Sequence, residues 1–415
     1  MNFIIIFILL LAIDFYAFQG IKTSFGDGLF GIQANWIFIG YWLISIVLPI
    51  LFLVGVFEMR KTQLMPSVWV FIGNIWFVLL ISKLVLILFI FGEDIYRFFE
   101  GIYLKWFNGN QISDEVSDSF LPSRRKFISN SAILLAAFPL LSLTYGLVRG
   151  RYQYKIHKQQ VFYKDLPEAF DGFTITQISD IHAGSFEDRE GVLKGIEMAK
   201  ALNSDLLVFT GDLVNTYASE FDPWYKDFNT LKAKFGQFSV LGNHDYGEYA
   251  KWDSLEAKES NFRDLKNHHS NMGFRLLLDE SIKIEKDGQH IQLLGVENWG
   301  LGFGKRGNLP KALSTVDHQD FKVLLSHDPT HWENEVKLNS NKIHLTLSGH
   351  THGMQMGIEI PGFKWSPIQY KYQKWAGVYE ENERYLYINR GFGVLGFRGR
   401  VGIWPEITQI ELKKA

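Results

Sequence analysis

The stretch Phe238–Asp245 reads F-S-V-L-G-N-H-D. A mostly apolar run leads through a glycine into an amide, an imidazole and a carboxylate. Four other short apolar runs end in the same way. The polar residues that follow them are Asp180 and His182, Asp212, His327 and Asp328, and His350 and His352. Because ligands of open α/β sheets bind outside the carboxyl ends of the strands, we expect these polar ends to converge on one site.

Around these motifs, short β-branched or aliphatic runs alternate with longer polar, helix-like stretches from about residue 161 onward. This alternation predicts an α/β domain over residues 161–415. Two runs, Ile282–Glu285 and Ile291–Val296, are close enough in sequence to predict a partly antiparallel sheet. The other predicted strands are Phe173–Ser179, Leu206–Thr210, Phe238–Leu241, Lys322–Ser326, Ile343–Ser348 and Tyr385–Asn389.

Composition narrows the chemistry that this chain can perform. Its 415 residues carry a formal net charge of −2 and include no cysteine. A nearly balanced charge without a basic stripe argues against a nucleic-acid partner. The lack of cysteine excludes disulfides, thiolate metal sites and cysteine nucleophiles. A metal site must therefore use imidazole, carboxylate and amide ligands, which suit Mn, Fe or Zn.

Residues 1–150 are mostly apolar and contain four segments of about the length that crosses a bilayer. They predict a multi-pass transmembrane region in the cell membrane, with spans at 3–18, 36–57, 68–91 and 128–148. Asp14 and Lys83 lie within two of these spans. Two interpretations stay open. They pair inside the bundle, as a functional site or a structural contact, or they lie nearer the interface than the predicted bounds.

Arg124 and Arg125 stand just before the fourth predicted span. An arginine pair followed by an apolar stretch resembles a twin-arginine export signal, which would place the C-terminal domain outside the cytoplasm. Alternatively, the pair holds a cytoplasmic loop by the positive-inside rule, which gives the same orientation. Basic residues directly after the span argue for the opposite orientation: Arg149, Arg151, Lys155 and Lys158. We expect an extracytoplasmic domain.

The five strand ends offer more ligand groups than one cation needs. They suit two cations roughly 3.5–4 Å apart and bridged by a shared carboxylate, which clamp the attacking and leaving oxygens of a phosphoryl displacement. Each motif alone is more often a turn or a helix cap than a ligand set. All five in the same strand-end position favour a metal site over chance.

The five motifs resemble those of the calcineurin-like metallophosphoesterases. They are D-I-H at 180–182, G-D-L-V-N at 211–215, G-N-H-D at 242–245, S-H-D at 326–328 and G-H-T-H-G at 349–353. The resemblance covers residues 170 to 412 and leaves out the membrane region. It implies a four-layer α/β/β/α sandwich of two mixed sheets flanked by helices, and hydrolysis of phosphate esters with two divalent metal ions.

The resemblance also implies a role for each motif residue. His244 would stabilise the transition state or donate a proton to the leaving group, which suits the pKa of an imidazole, and Asp245 would orient it. Asn215 and Asp328 would support ligands from outside or cap helices. Asp212 would bridge the two ions. The first ion would be held by Asp180, His182 and His352, and the second by Asn243, His327 and His350.

Within the family, the chain resembles the membrane-anchored bacterial branch, whose closing motif matches N-R-G at 389–391 and P-E-I at 405–407. Relatives in that branch usually read G-H-T-H-G-G-Q, whereas Met354 replaces the second glycine here. A loop that needs positive φ or close substrate approach is therefore expected to differ. Four spans also exceed the single anchor that is usual in that branch.

The segment between His352 and Arg390 is rich in aromatic residues and lysines. Either it packs over the sheet edge as a long insertion, or it touches lipid headgroups or an amphiphilic substrate. Arg390, Arg398 and Arg400 are candidates for binding an anionic group near the site.

Together these patterns predict a membrane-bound phosphoesterase that hydrolyses a phosphate ester or pyrophosphate of a lipid or cell-envelope component. One alternative is a UDP-diacylglucosamine-type lipid pyrophosphatase, which requires a cytoplasmic domain. The other is a non-catalytic membrane sensor or scaffold. A missing ligand would favour the scaffold, and the motifs are complete.

Overall fold

The computed structural model describes residues 3–62, 66–107 and 114–415. The chain divides into two compact units, Met1–Tyr145 and Gly146–Ala415. Residues 1–2, 63–65 and 108–113 of the predicted membrane region lie outside the described residues. The second unit begins earlier than the predicted 161, because it takes in the end of the fourth helix and a first strand that starts at Lys155.

Four long helices dominate the described part of the N-terminal region. They are α1 Phe3–Phe25, α2 Ala34–Thr62, α3 Ser67–Phe107 and α4 Asp114–Val148. Each contains a segment long and apolar enough to cross a membrane, namely Ile5–Phe25, Ala34–Met59, Ser67–Tyr103 and Arg124–Val148. The four predicted spans fall within these helices, although the first predicted span ends seven residues before α1 does.

Asp14 and Lys83 form an ion pair between α1 and α3, with 2.5 Å between the Asp14 carboxylate and Lys83 Nζ. Lys83 also donates to the Ser45 hydroxyl of α2 at 2.8 Å. The Tyr41 hydroxyl donates to the main-chain oxygen of Asp14 at 2.8 Å, and its ring lies 5.1 Å from Lys83 Nζ. The two charges therefore neutralise each other within the first unit and connect three of its helices.

The second unit is built from fourteen described strands and five described α-helices. The helices are α5 Arg189–Ala201, α6 Tyr225–Phe228, α7 Leu255–Asn271, α8 Leu309–Leu313 and α9 Thr330–Asn334. The strands are β1 Lys155–Tyr163, β2 Thr174–Ile178, β3 Leu206–Phe209, β4 Gln237–Ser239, β5 Arg275–Leu276, β6 Glu280–Lys286, β7 Gln289–Gly295, β8 Lys322–Leu325, β9 Leu345–Ser348, β10 Ile358–Ile360, β11 Phe363–Trp365, β12 Gly377–Glu381, β13 Arg384–Ile388 and β14 Glu406–Lys414.

Two six-stranded sheets result, with strand orders β1-β14-β2-β3-β4-β5 and β12-β13-β9-β8-β7-β6, and β10 and β11 form a separate hairpin. Strands β2 to β5 are parallel in the first sheet, and β7, β8, β9 and β13 are parallel in the second. The apolar runs of β3, β8 and β9 are buried throughout, as expected of parallel strands covered on both faces.

The two sheets pack face to face through a buried apolar core. Ile175 and Val208 of the first sheet and Leu293 and Val323 of the second are fully buried in it. Helices α5 to α7 share a second apolar cluster with the first sheet, and α8 and α9 share a third with the second sheet. The predicted four-layer α/β/β/α sandwich is confirmed.

All eight predicted strands are present, but the sequence analysis missed several others. Strand β1 begins K-I-H-K-Q-Q, and its first six residues are exposed or half-buried because it lies at the edge of its sheet. Strand β5 has only two residues. An exposed edge strand lacks the apolar alternation that identifies a strand in a sequence, so neither gave a usable signal.

Candidate metal centre

The predicted ligands follow the carboxyl ends of strands in both sheets. Asp180 and His182 come after β2, Asp212 after β3 and Asn243 after β4. From the second sheet, His327 comes after β8, and His350 and His352 come after β9. All of these residues are buried except His350, which is half-buried. Packing the sheets face to face thus brings together side chains that are far apart in sequence.

Six of the seven predicted ligands form two groups of three. Asp180, His182 and His352 offer ligand atoms within 4.8 Å of one another, and so do Asp212, His327 and His350. Asp212 Oδ2 lies 3.1 Å from His327 Nε2 of its own group and 3.5 Å from His182 Nε2 of the other. The Asp212 carboxylate therefore lies close to both groups.

Five of the predicted ligands have left-handed backbone conformations. Their φ angles are 51° at Asp180, 45° at His182, 61° at Asp212, 71° at His350 and 51° at His352. A non-glycine residue held in this region costs of order 1–3 kcal/mol and persists only where the surrounding structure requires it. Such residues cluster at functional sites, and here they turn successive side chains toward one point.

Several buried ligand atoms have no hydrogen-bond partner within the described part of the chain. They are both ring nitrogens of His182, Nε2 of His352 and Oδ1 of Asn243. The Asn243 amide donates to the Tyr249 hydroxyl at 2.8 Å, which leaves its oxygen as the atom available for coordination. Buried polar atoms are normally satisfied, so this set of nitrogen and oxygen atoms fits divalent cations.

Main-chain and side-chain groups around the ligands fix their rings. His327 Nδ1 donates to the Thr210 carbonyl at 2.8 Å, so that Nε2 faces Asp212. His350 Nε2 is 2.9 Å from the Tyr372 hydroxyl and 3.5 Å from Asp328, while its Nδ1 faces His327. Outer contacts of this kind orient metal ligands and raise their basicity.

Asp328 also accepts from the main-chain N–H and the hydroxyl of Thr330, at 2.8 and 2.7 Å, at the start of α9. Oδ1 of Asp328 thus accepts from Thr330, while Oδ2 faces His350. Tyr249 and Tyr372 were not identified from the sequence as individual site residues, because only the tertiary fold brings their hydroxyl groups to the ligands.

The charges of the site depend on one another. Burial raises the pKa of Asp212, but His327 and His244 outweigh it and hold that pKa well below its usual range. Burial lowers the pKa of His327, yet the Asp212 carboxylate raises it to about 10. Burial holds the pKa of His182 well below normal, which keeps its imidazole neutral and able to coordinate. Cation binding must therefore displace the proton that His327 holds against Asp212.

His244 stands beside both ligand groups. Its Nδ1 is 2.7 Å from the main-chain oxygen of Asn215. Because a carbonyl only accepts, Nδ1 carries a proton, and Nε2 is the ring nitrogen left for other contacts. The His244 ring packs edge-on against His182, with 4.9 Å between centroids, and lies 4.4 Å from the ring of Tyr249.

We expected Asp245 to orient His244, but the structure gives this task to the Asn215 carbonyl. The Asp245 carboxylate instead accepts from the main-chain N–H groups of Gly242, Asp212 and Leu213, at 2.8, 3.0 and 2.8 Å. It therefore holds the loop after β4 against the loop after β3. Burial and the neighbouring Asp212 carboxylate raise the pKa of Asp245 to about 7.

The three candidate anion-binding arginines are all engaged within the protein, so this expectation was wrong. Arg390 is 3% exposed and pairs with Glu406 and Glu359, each at 2.5 Å. Arg398 pairs with Glu187. Arg400 is fully buried and donates to main-chain carbonyls, among them that of Gly393 at 2.7 Å, and its Nη2 lies 3.3 Å from His352 Nδ1.

Met354 keeps the backbone conformation that a glycine would adopt at its position. Its φ is 52°, and its side chain is 51% exposed. Met354 thus keeps a positive φ and adds an exposed apolar side chain two residues after His352.

The comparisons with known proteins agree with this geometry. A family model described as "Calcineurin-like phosphoesterase" matches residues 173–354. Another, described as "Probable Calcineurin-like phosphoesterase, transmembrane domain", matches residues 1–151. The four-helix region is therefore itself typical of such proteins.

Among its relatives, the chain is 30% identical to a protein of Bacillus subtilis named "Uncharacterized metallophosphoesterase YkuE", over 70% of this chain and 98% of that one. It is 28% identical to a zebrafish (Danio rerio) transmembrane protein with a metallophosphoesterase domain, over 65% of this chain and 60% of that one. It is also 28% identical to the UDP-2,3-diacylglucosamine pyrophosphatase LpxG of Chlamydia trachomatis, over 55% of this chain and 81% of that one. The chain belongs to the calcineurin-like metallophosphoesterases, and its metallophosphoesterase domain follows four candidate membrane spans.

Proposed function

We propose that this protein is a membrane-bound two-metal phosphoesterase that hydrolyses a phosphate ester or pyrophosphate of a lipid or cell-envelope component. The observation that carries the proposal is the position of Asp212, with one oxygen 3.1 Å from His327 and 3.5 Å from His182. A carboxylate shared by two ligand groups is suited to holding two cations close together, as two-metal hydrolysis needs.

In this proposal Asp180, His182 and His352 hold one cation, and Asn243, His327 and His350 hold the other, with Asp212 between them. When bound, two such cations activate a water and stabilise the charge that develops on a phosphoryl group. The left-handed backbones and the outer contacts of Thr210 and Tyr372 hold the ligands in place beforehand. The residues therefore need little rearrangement on binding.

His244 is the residue to which we assign the proton transfer. Its Nδ1–H is held by the Asn215 carbonyl, which keeps the ring in one orientation and presents Nε2 beside both ligand groups. In its protonated form the ring stabilises negative charge on the phosphoryl oxygens and donates a proton to the leaving oxygen. Asp245 contributes indirectly, because it fixes the backbone on either side of the bridging carboxylate.

A lipid or envelope substrate is supported by the four candidate spans that precede the domain and by the relative named for a lipid pyrophosphate. The LpxG likeness favours a second candidate, a UDP-diacylglucosamine-type pyrophosphatase with a cytoplasmic domain. An extracytoplasmic domain, as the Arg124–Arg125 pair suggests, would exclude that substrate. A reporter fused after Ala415 separates the two, since activity of an alkaline phosphatase fusion requires an exported C-terminus.

The central experiment measures hydrolysis of an aryl phosphate monoester and diester by the full chain with added Mn²⁺. We expect turnover that Asp212→Asn abolishes and His244→Ala strongly reduces. Asp287→Asn, in an exposed turn, is the matched control and should retain full activity. A cation-loaded wild-type protein without turnover on any ester or pyrophosphate would refute the enzyme and favour the non-catalytic sensor or scaffold.

A further inference from the structure

The hairpin of β10 and β11 has an unusual distribution of side chains. Ile358 lies opposite Trp365, Glu359 opposite Lys364, and Ile360 opposite Phe363. Side chains alternate between the two faces of a strand pair, and directly opposed residues share a face. One face of the hairpin is therefore apolar, and the other carries a pair of opposite charges.

The charged residues contact the protein, although Lys364 is itself exposed. Glu359 pairs with Arg390 at 2.5 Å, and Arg390 is almost fully buried. The Lys364 amino group donates to the Ala376 carbonyl and to the Tyr379 hydroxyl. These contacts attach the hairpin to the sheet through its polar residues. In a soluble domain, the apolar residues of a hairpin usually face the protein and the charged residues face solvent.

The apolar face is turned away from the protein. Ile358, Ile360 and Phe363 are 50%, 59% and 52% exposed, and we call these three residues the outer face. Met354, which precedes the hairpin, is exposed to a similar extent. A contiguous exposed apolar patch of this kind marks a surface that meets another apolar phase.

The base of the hairpin adjoins the end of a membrane span. Gly357 donates its N–H to the Val401 carbonyl at 2.9 Å, and Val401 donates to Gln355 at 2.8 Å. The residue before Val401, Arg400, donates its main-chain N–H to the carbonyl of Gly146, which lies in the fourth candidate span. A Cβ on Gly146 would stand only 2.7 Å from the Arg400 oxygen, so the contact is close.

We propose that the outer face inserts into the interfacial region of the lipid bilayer in which the protein is anchored. Residues 400 and 401 contact both the hairpin base and Gly146, one of the last residues of the fourth candidate span, and this shared contact is our reason for choosing the bilayer as the apolar phase. Exposed isoleucine and phenylalanine side chains gain from burial at the boundary between headgroups and acyl chains. The insertion would hold the loop of His350 and His352 at the membrane surface, where an amphiphilic molecule can reach the metal centre.

The lack of native cysteine allows a direct test on the full chain in lipid nanodiscs. Ile360→Cys is labelled with an environment-sensitive fluorophore, and quenching by lipids brominated on the acyl chains is measured. At an insertion depth of roughly 5–10 Å we expect a blue-shifted emission and a loss of roughly half the fluorescence. Leu255→Cys, at a still more exposed apolar site at the start of α7, is the control and should show neither change.

The same measurement identifies other occupants of the outer face. A blue shift without quenching by brominated lipid would mean that protein, either a second copy or a partner, covers it, and would overturn the proposal. A probe at Ile360 with the emission of water-exposed label would overturn it as well. A probe at Ile358 should lose its quenching when Ile360 and Phe363 are both changed to Ser, whereas unchanged quenching would refute the role of the outer face. None of these readings depends on catalytic activity.

Discussion

Each of the two units of this protein contains a cluster of charged side chains, half-buried in the first unit and mostly buried in the second, and the two clusters differ in their internal partners. In the N-terminal helices, Asp14 and Lys83 form an ion pair at 2.5 Å, and Lys83 also donates to the Ser45 hydroxyl. In the candidate metal centre, the ring nitrogens of His182 and the amide oxygen of Asn243 have no hydrogen-bond partner among the described residues.

The difference suggests that the first cluster stabilises the fold, whereas the second is arranged to bind a ligand. A buried ion pair that closes on itself stabilises little beyond its own desolvation cost, but it is costly to break. A cluster of buried polar atoms without hydrogen bonds, held on strained backbone, is typical of a site that binds a ligand. The first cluster should therefore respond to mutation by changes in stability, and the second by changes in cation binding and rate.

The largest effect should follow removal of the cations. Chelation should leave the membrane cluster intact and lower hydrolysis of an aryl phosphate by ~10³-fold or more, since bound cations contribute several kcal/mol of transition-state stabilisation. Elemental analysis should find two ions per chain in the active protein, and added Mn²⁺ should restore the rate. Full activity after exhaustive chelation would remove the distinction between the clusters.

A pH titration extends the comparison to a third cluster, the buried pair of Arg390 and Glu406. Burial raises the pKa of Glu406, but Arg390 outweighs it and lowers this pKa from 4.5 to about 2. The pair should therefore contribute about 3 kcal/mol above pH 4.5, and this contribution should disappear as pH falls toward 2. Denaturant midpoints measured between these pH values report the loss.

Glu406→Gln should be less stable at neutral pH and should lose most of this dependence on pH. The control is Glu411→Gln on the same strand, which is partly exposed and should behave like the wild type. A Glu406→Gln protein that still weakens on acidification by the full amount would show that other carboxylates are responsible.

Breaking the membrane pair should come next in size. Lys83→Met leaves Asp14 unpaired within a span and should lower the free energy of unfolding in detergent by ~2–3 kcal/mol. The double variant Asp14→Leu/Lys83→Met should recover most of this loss, because neither charge is then stranded. Lys126→Met, which removes an exposed pair with Asp27, should cost less than ~1 kcal/mol.

The cation content of all these membrane variants should equal that of the wild type. If the double variant is stable but its hydrolysis is lost, the membrane cluster takes part in the chemistry and the comparison fails.

The smallest effect should come from Tyr372→Phe, which removes the hydroxyl group 2.9 Å from His350 Nε2. Loss of such an outer partner typically weakens metal affinity by about 10-fold or somewhat more. Titration of the stripped protein with Mn²⁺ measures it. Tyr370→Phe, two residues away and 81% exposed, is the control and should leave the affinity unchanged. Equal affinities in the two variants would show that Tyr372 does not support the ligand.

The strands and the polar residues that follow them could be predicted from the apolar runs of the sequence. Asp180, Asp212 and His327 each come within three residues of the end of a strand, so that their convergence could be expected from strand order and chemistry. The partner that orients His244 could not be predicted, because it is the main-chain carbonyl of Asn215 and every residue type has such a carbonyl.

The arginines show a second limit. Arg390 and Arg400 are charged and near the site, which suggested an anion, but only the structure shows that glutamates and carbonyl groups already engage them. The hairpin of Ile358–Ile360 and Phe363–Trp365 shows a third, since strand patterning does not tell which face of a short hairpin turns outward. These features depend on tertiary contacts, which sequence periodicity does not encode.

The contact between Gly146 and Arg400 sets the place at which this enzyme domain can be cut from its anchor. The main-chain N–H of Arg400 donates to the Gly146 carbonyl, and its guanidinium contacts the ring of His352. A soluble fragment that begins after the span, at residue 151, would lose that carbonyl and loosen the arginine behind a ligand of the metal centre. The final turn of the membrane helix thus belongs to the hydrolase, and proteolytic release at this point would deliver a damaged domain rather than a free one.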